Sequence, residues 1–239
     1  MKKKLLIIGG IILFIVLAVS IVLIVRNEKI EEKTDAIKFK ESYESLNGTT
    51  TSSGKTYNTV SISKDNPIKY VSAKEAVDII KNGEGIIYFG ANWCPWCRNA
   101  VPVLLSMASK NKLENIYYVD MDSLRNLWSV VDGKLVKTRV EEEGYYELLD
   151  SLSSILTDYV ITDNNIEYEV GEKRIYMPIV IAVKNGKILA NHTSTVELNE
   201  NQTAYDKLTS EQYDELYNIY NEMVTLMMSS SCDAVEPCN

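Results

Sequence analysis

The fold of this chain is decided by residues 86–104, which read IIYFGANWCPWCRNAVPVL. The stretch begins with four apolar, β-branched or aromatic residues, a pattern typical of a buried strand. A turn is predicted at 90–92. Pro95 follows the first of two cysteines, and a proline at the first helical position is already set for helical backbone and loses no hydrogen bond. The stretch therefore predicts a strand, a turn and a helix that begins beside Cys94.

Cys94 and Cys97 are the candidate catalytic residues. Unpaired N–H groups and the macrodipole at a helix N-terminus favour an anion, and therefore a thiolate over a thiol. Cysteines of Cys-X-X-Cys motifs in such positions have pKa values of roughly 3.5–7.5, against about 8.5 for a free cysteine. We predict Cys94 as the nucleophile and Cys97, one turn further along, as the more buried resolving thiol. The two form a redox-active disulfide, and no further cofactor is expected.

The alternative for this cysteine pair is half of a zinc site, or two core cysteines that lie close together by chance. A zinc site needs about four ligands. The chain has only two other cysteines, both distant in sequence, and a single histidine, His192. We therefore expect no metal site, and we interpret His192 as a surface strand residue rather than a proton shuttle.

The run YFGANWCPWCRNAVP resembles the active-site segment of the thioredoxin superfamily, with Trp93 before the first cysteine, Arg98 after the second and Pro102 where the family's helix kinks. A second run, RIYMPIVIAVKNGKILA, resembles the family's cis-proline loop, here Met177–Pro178, followed by a closing hairpin. The resemblance covers roughly residues 57–228. It implies an α/β, thioredoxin-like fold with a mixed central sheet flanked by helices.

The resemblance also implies roles for the residues around the cysteines. Met177–Pro178, with Trp93, would hold an extended peptide beside the disulfide, in the manner of a strand added to a sheet edge. Pro95 and Trp96, which separate the cysteines, would tune the stability of the thiolate together with Arg98, and hence the reduction potential.

Tyr88 departs from the family pattern. Reductases of the family carry at this position a buried acid that helps to deprotonate the resolving cysteine. The Pro95-Trp96 pair also differs from the Gly-Pro pair of thioredoxins and is closer to glutaredoxin-like and oxidase-like sequences. Neither departure fixes the direction of electron flow.

Residues 5–25 form an uncharged run of 21 residues dominated by Ile, Leu and Val, which is the length of a membrane-spanning helix. A cleaved signal peptide is the alternative, but the apolar run continues through the candidate cleavage site at 18–20. Three lysines at positions 2–4 favour a cytoplasmic N-terminus. We therefore predict a cytoplasmic tail at 1–4, an N-terminal transmembrane helix at 5–25, a flexible stalk at 26–56 and an extracytoplasmic domain at 57–239.

The stalk is predicted because the composition of 26–56 shifts to charged and then to small polar residues. The alternative, a helix or strand of this segment packed on the domain, stays open. Within the domain we predict a first strand at 57–62 and a helix opened by a Ser72–Glu75 capping box. A closing helix is predicted at 209–228, opened by a second capping box.

An insertion at about 122–173 separates the third strand, at 115–120, from the cis-proline loop. Apolar residues from Tyr145 to Tyr159 recur at helical spacing, so the insertion is predicted to be helical. Two readings of its role stay open: it shapes what approaches the active site, or it only caps exposed apolar surface.

The last residues, 229–239, form a tail in which Cys232 and Cys238 are predicted to make a small structural disulfide; a second redox pair is the alternative. The formal net charge of −8 leaves no electrostatic footprint for nucleic acid.

More narrowly, the sequence resembles membrane-anchored thioredoxin-like proteins of Gram-positive bacteria, of the bacteriocin transport accessory type. The resemblance lies in the apolar anchor, the GEKRIYMP run, the KNGKI hairpin and the paired tail cysteines.

The expected function is that of a membrane-tethered, extracytoplasmic thiol–disulfide oxidoreductase. Its partners would be exported proteins or peptides as substrates and a membrane or extracellular redox protein that recycles it. The alternative function is a non-catalytic binding or export-accessory module for secreted peptides such as bacteriocins.

Overall fold

The computed structural model describes residues 33–229. The predicted transmembrane helix at 5–25, its orientation and the Cys232–Cys238 disulfide lie outside these residues. Within 33–229, the helices are too short or too polar to span a bilayer.

The described chain alternates helices and strands, with a long insertion of mostly β structure before the last sheet strands. The helices are α1 (Asp35–Glu44), α2 (Ala73–Asn82), α3 (Pro95–Lys110), α4 (Met121–Leu124), α5 (Tyr145–Ser151) and α6 (Ser210–Ser229). The strands are β1 (Ile68–Tyr70), β2 (Glu84–Gly90), β3 (Ile116–Asp120), β4 (Leu127–Val131), β5 (Lys134–Arg139), β6 (Thr157–Asp163), β7 (Ile166–Arg174), β8 (Ile179–Lys184) and β9 (Lys187–Thr193).

Five strands form a mixed central sheet in the order β1-β3-β2-β8-β9. Strand β3 is parallel to both β1 and β2, whereas β8 is antiparallel to β2 and to β9. Together with the flanking helices, this arrangement fits the thioredoxin-like fold that the sequence predicts. The central strand β2 ends at Gly90, and the cysteines follow its carboxyl end at positions 94 and 97. The sheet therefore determines where the cysteines lie.

Alternate side chains of β2 enter two separate cores, because successive residues of a strand point to opposite faces. Ile86 and Tyr88 pack with Cys97 under α3 and α6. Ile87 and Phe89 pack on the other face, against α2 and α5. The cysteines and Tyr88 therefore share one core.

Helix α1 shows that the flexible-stalk prediction is wrong for this part of the chain, and that the packed-helix alternative is correct. Phe39 and Tyr43 are both 0% exposed. Their spacing of four residues places them on one helix face, and the Phe39 ring packs edge-on against Tyr118 with the centroids 5.0 Å apart. The charged composition of the segment conceals this narrow apolar face.

The predicted strand at 57–62 is also wrong, since this segment is irregular. Its backbone is satisfied by side chains instead of by a neighbouring strand. The Asn47 amide accepts a hydrogen bond from Val60 N and donates one to Val60 O. Glu44 accepts a hydrogen bond from Ile62 N at 2.8 Å. These bonds tie the segment to α1 and to the turn that follows α1.

The insertion is less helical than predicted. Helix α5 ends at Ser151, and two hairpins, β4–β5 and β6–β7, make up most of the segment. Their two-residue turns are Asp132-Gly133 and Asn164-Asn165, all four at positive φ, as type I′ hairpin turns require. These two dipeptides are the sequence pattern that indicates the hairpins. The helical spacing of apolar residues beyond Ser151 wrongly predicts a longer helix.

Several local predictions are confirmed. The Ser72–Glu75 capping box is present at the start of α2. Thr209 and Gln212 exchange hydrogen bonds ahead of α6. The Met177–Pro178 peptide bond is cis, and the β8–β9 turn has Asn185 and Gly186 at positive φ. In each case the residues that allow the prediction lie within a few positions of the feature that they predict.

The burial of α1 leads to a test of its contribution to stability. Phe39→Ala is expected to lower the free energy of unfolding by about 3–5 kcal/mol, because it leaves a cavity among buried rings. Lys38→Ala, at an exposed position of the same helix, is the matched control and should change it by no more than about 0.5 kcal/mol. Urea denaturation of the chain in detergent, followed by fluorescence, measures both. Equal stability of the two variants would contradict the packing of α1 on the domain and would favour the flexible stalk.

Candidate active site

Cys94 is the N-cap residue of α3, and Pro95 occupies the first turn. The backbone N–H of Cys97 donates a hydrogen bond to Cys94 Sγ at 3.4 Å. Both thiols are free in this structure. Cys94 is 5% exposed and Cys97 is 0% exposed, so Cys94 is the sulfur nearer to solvent.

The two sulfurs have opposite electrostatic environments. A hydrogen bond from the Cys97 thiol is the main cause that lowers the pKa of Cys94; the backbone N–H groups of Cys97 and Trp96 and the positive charge of Arg125 act in the same direction, against burial. Burial raises the pKa of Cys97 well above its usual value, and its contact with Cys94 raises it further. In the reduced pair, this asymmetry favours the thiolate form at Cys94 over the thiolate form at Cys97.

The cis-proline loop lies beside Cys94. The Cys94 thiol lies 3.7 Å from the carbonyl oxygen of Met177 and can donate a hydrogen bond to it. Met177 is half-buried and packs against both cores, whereas Pro178 is buried. The structure thus brings together Cys94 and the loop that the resemblance assigns to peptide binding.

Trp93, the third residue assigned to peptide binding, is half-buried next to Cys94. Its indole N–H donates a hydrogen bond to Asp122 Oδ1 at 2.6 Å. The guanidinium of Arg125 lies over its ring, 5.4 Å from the centroid. Both partners belong to the start of the insertion, so the insertion reaches the active site.

The residues assigned to tuning differ in position. Pro95 and Trp96 lie between the cysteines in the first turn of α3, and Trp96 packs on the core that holds the sulfurs. Arg98 is 1% exposed. Its five hydrogen bonds all go to oxygen atoms, and none goes to a sulfur. The acceptors are the carbonyls of Tyr43, Asn58 and Asn92 and the side chain of Asn47. Arg98 therefore positions the helix rather than contacting the sulfurs.

A tyrosine pair lies beneath Cys97 and was not foreseen from the sequence. The hydroxyls of Tyr43 and Tyr88 are 2.7 Å apart, and both residues are 0% exposed. The Tyr88 hydroxyl also acts on Cys97, because it lowers the pKa of that thiol in opposition to burial. Burial raises the pKa of Tyr88 well above its usual value, so the hydroxyl stays neutral and can donate. A neutral donor thus stands where the family's reductases have an acid.

Gly90 has no Cβ atom and therefore leaves space for the Tyr88 side chain. A Cβ atom at Gly90 would lie 2.1 Å from the Tyr88 hydroxyl oxygen, which is far inside van der Waals contact. Glycine allows the Tyr88 side chain to lie along its own strand and reach the sulfurs. The sequence shows this glycine but not what approaches it.

The remaining candidate residues lie apart from this chemistry. The His192 ring is hydrogen-bonded to Thr195 O at 2.9 Å and packs edge-on against Tyr220. Between residues 33 and 229, no group of three or more His, Cys, Asp or Glu side chains is placed to hold a metal ion. The sulfur pair is the reactive chemistry of the described residues.

The sequence matches no protein-family model, and no curated protein matches it. Among solved structures, a similarity is found to thioredoxin O2 from Arabidopsis thaliana in its oxidized state. The two are 19% identical, with a TM-score of 0.33, over 55% of this chain and 85% of that one. A TM-score this low carries no argument. The fold assignment rests on the sheet order, the parallel and antiparallel pairings and the cis-proline loop.

The electrostatics of the pair predict which cysteine reacts first. With Cys232 and Cys238 changed to serine, iodoacetamide near pH 7 should alkylate Cys94 and leave Cys97 unmodified. The midpoint of the rate against pH should lie below the value of about 8.5 for a free cysteine. Peptide mapping by mass spectrometry measures both results.

Arg125→Gln should raise that midpoint, because a positive charge that favours the Cys94 thiolate is removed. Lys112→Gln is the control, since it removes one positive charge beyond the far end of α3, a helix of 16 residues and therefore about 24 Å long. A midpoint near 8.5 in the unsubstituted chain would contradict the assignment of Cys94 as the thiolate.

Proposed function

We propose that this chain is a thiol–disulfide oxidoreductase that acts on exported proteins or peptides from a membrane tether. One observation carries the proposal. A thiol with a lowered pKa sits at a helix N-terminus, one turn from a fully buried thiol with a raised pKa, and faces the carbonyl of a cis-proline loop. This asymmetry allows one sulfur to exchange with an outside partner and the other to complete the reaction.

In the first step the Cys94 thiolate attacks one sulfur of a client disulfide. The client S–S bond breaks, a Cys94–client disulfide forms, and the other client sulfur leaves as a thiolate that takes a proton. In the second step Cys97 attacks Cys94 Sγ and the Cys94–client S–S bond breaks. The proton that Cys97 loses is balanced by the proton that the leaving client sulfur takes up. The second client thiol is released, and the Cys94–Cys97 disulfide forms. Two electrons pass from the protein dithiol to the client, and the reverse sequence oxidises a client dithiol.

The second step needs a thiolate on a sulfur whose burial opposes charge. The neutral hydroxyl of Tyr88 can donate a hydrogen bond to the Cys97 sulfur as negative charge develops there. This hydrogen bond would stabilise the Cys97 thiolate. Tyr43 supports Tyr88 through the 2.7 Å hydroxyl pair. Hydrogen bonds to charged groups are worth about 1.5–3 kcal/mol, so this support is large enough to affect the rate.

The peptide-binding part of the proposal rests on the cis-proline loop and Trp93. An extended client segment would lie along the loop before β8, with its cysteine at Cys94. Tyr176, next to Met177, is 40% exposed and offers an aromatic surface beside that path. The sulfur lies 3.7 Å from the carbonyl oxygen of the loop residue Met177, and Trp93 directly precedes Cys94 in the chain.

The location is proposed from the sequence. The uncharged run at 5–25 and the three lysines before it support a single anchor with the domain on the extracytoplasmic side. Disulfides form and persist in that compartment. Clients would then be exported proteins or peptides, and a redox protein of the membrane or the outer surface would recycle Cys94–Cys97.

Cys97→Ala should trap clients, because the mixed disulfide on Cys94 then lacks its resolving thiol. Non-reducing gels of membranes from cells that express the variant should show adducts that dithiothreitol removes. Cys94→Ser should show none and should lose activity. If Cys94→Ser kept the full cellular role, the chain would act as a non-catalytic binding or export-accessory module instead.

Tyr88→Phe should slow the second step by about tenfold, since it removes a hydrogen bond to a charged sulfur, and should leave the alkylation midpoint of Cys94 nearly unchanged. Rapid acid quenching of the mixed disulfide measures its decay. Tyr220→Phe is the matched control, because the Tyr220 hydroxyl is buried and has no hydrogen-bond partner among the described residues. Equal decay in both variants would remove Tyr88 from the mechanism.

A further inference from the structure

Three arginines, Arg125, Arg139 and Arg174, are linked by hydrogen bonds at residues 125 and 126 of the insertion, and Arg125 contacts the active-site residue Trp93. Arg139 Nε donates a hydrogen bond to the carbonyl oxygen of Arg125 at 3.0 Å. Arg174 Nη1 donates to the carbonyl and side-chain oxygens of Asn126, at 2.8 and 3.0 Å. The guanidinium groups of Arg139 and Arg174 therefore bind two adjacent residues, Arg125 and Asn126. The guanidinium of Arg125 itself lies over Trp93.

None of these arginines has a carboxylate partner among residues 33–229. The ion pairs found among residues 33–229 all use lysine. Burial, followed by the charges of Arg174 and Arg139, lowers the pKa of Arg125, which shows that the like charges are close enough to repel. The Cys94 thiolate is favoured by the charge of Arg125, but among residues 33–229 no carboxylate forms an ion pair with the cluster.

Acidic side chains are present nearby but are already engaged elsewhere. Glu172 accepts hydrogen bonds from the Asn126 amide and the Tyr146 hydroxyl. Glu141 pairs with Lys137 at 2.9 Å. Asp122 accepts the indole N–H of Trp93. None of these three carboxylates is hydrogen-bonded to a guanidinium of the cluster within the described part of the chain.

The cluster also holds donors without acceptors. Arg125 Nε, Arg139 Nη2 and Trp128 Nε1 are buried, with no hydrogen-bond partner in the described part of the chain. A buried donor without a partner costs free energy. Arg125 and Arg139 are half-buried as whole residues, whereas their unpaired nitrogens are buried. Planar guanidinium groups match the two oxygens of a carboxylate.

We infer that Arg125 and Arg139, held in place by Arg174, form a subsite for a carboxylate of the client, an Asp or Glu side chain close in sequence to the reacting cysteine. The inference rests on the proposed function, since the ligand is a client peptide. Its position follows from Arg125, which stacks on the residue before Cys94. An acidic side chain seated there places the neighbouring client cysteine at Cys94 Sγ.

A test must separate this subsite from the effect of Arg125 on the Cys94 thiolate. We would use the full chain in detergent, reduced, with Cys232 and Cys238 changed to serine. Two synthetic peptides, each with one disulfide, differ only in having Glu or Gln beside a cysteine. The ratio of their exchange rate constants cancels any change in the reactivity of Cys94, because both peptides meet the same thiolate.

The Glu peptide should react about tenfold faster than the Gln peptide, and the ratio should fall as the salt concentration rises. Arg125→Gln should bring the ratio close to one, and Arg125→Lys should retain part of it. Arg125→Glu should favour a matching Lys peptide. Lys112→Gln, which removes a positive charge at the far end of α3, should leave the ratio unchanged.

Equal rates for the Glu and Gln peptides in the unsubstituted chain would overturn the carboxylate subsite and leave the oxidoreductase proposal standing. A ratio that Arg125→Gln and Lys112→Gln lower equally would overturn it as well, because long-range charge would then be sufficient. If neither peptide exchanged at all, the proposed function would fall, and the subsite with it.

Discussion

The active site depends on one buried cation, the guanidinium of Arg98. It is 1% exposed and satisfies carbonyl groups from the end of α1, from the irregular segment at 58 and from the turn before Cys94. A buried charge is tolerated only when its hydrogen bonds are made, and here the whole donor set is used. The polar backbone of an N-terminal segment without strand partners is thereby joined to the catalytic helix. Because the guanidinium fork has a fixed geometry, it also fixes the angle at which α3 leaves the sheet.

That connection makes α1 part of the candidate active site. Arg98 holds the carbonyl of Tyr43, and the Tyr43 side chain holds the hydroxyl of Tyr88 beneath Cys97. The environment of the resolving sulfur is therefore assembled from α1, β2 and α3, three segments separated in sequence. The family's acid would be a charge at this place. The tyrosine pair instead keeps the site neutral, and the cost of burying a carboxylate is avoided.

The parts that could be predicted from sequence are those whose cause is local. Pro95 after Cys94, the Ser72–Glu75 capping box and the Asn185-Gly186 turn each act within a few residues, and the structure has the elements that they predict. Phe39 and Arg125 could not be placed in this way. Phe39 lies in a charged segment whose narrow apolar face becomes meaningful only against Tyr118. Arg125 contacts Trp93 only because the insertion folds back towards the active site. A contact between residues this far apart in sequence cannot be predicted from the spacing of residue types.

The charges around the sulfurs also bear on the direction of electron flow, which the sequence leaves open. Arg125 brings positive charge to Cys94, and Tyr88 replaces negative charge near Cys97 with a neutral donor. Both changes stabilise a thiolate, and a thiolate exists only in the reduced pair. Stabilising the reduced form makes the disulfide a stronger oxidant. Under the proposed function, these charges would favour a pair that gives its disulfide to clients.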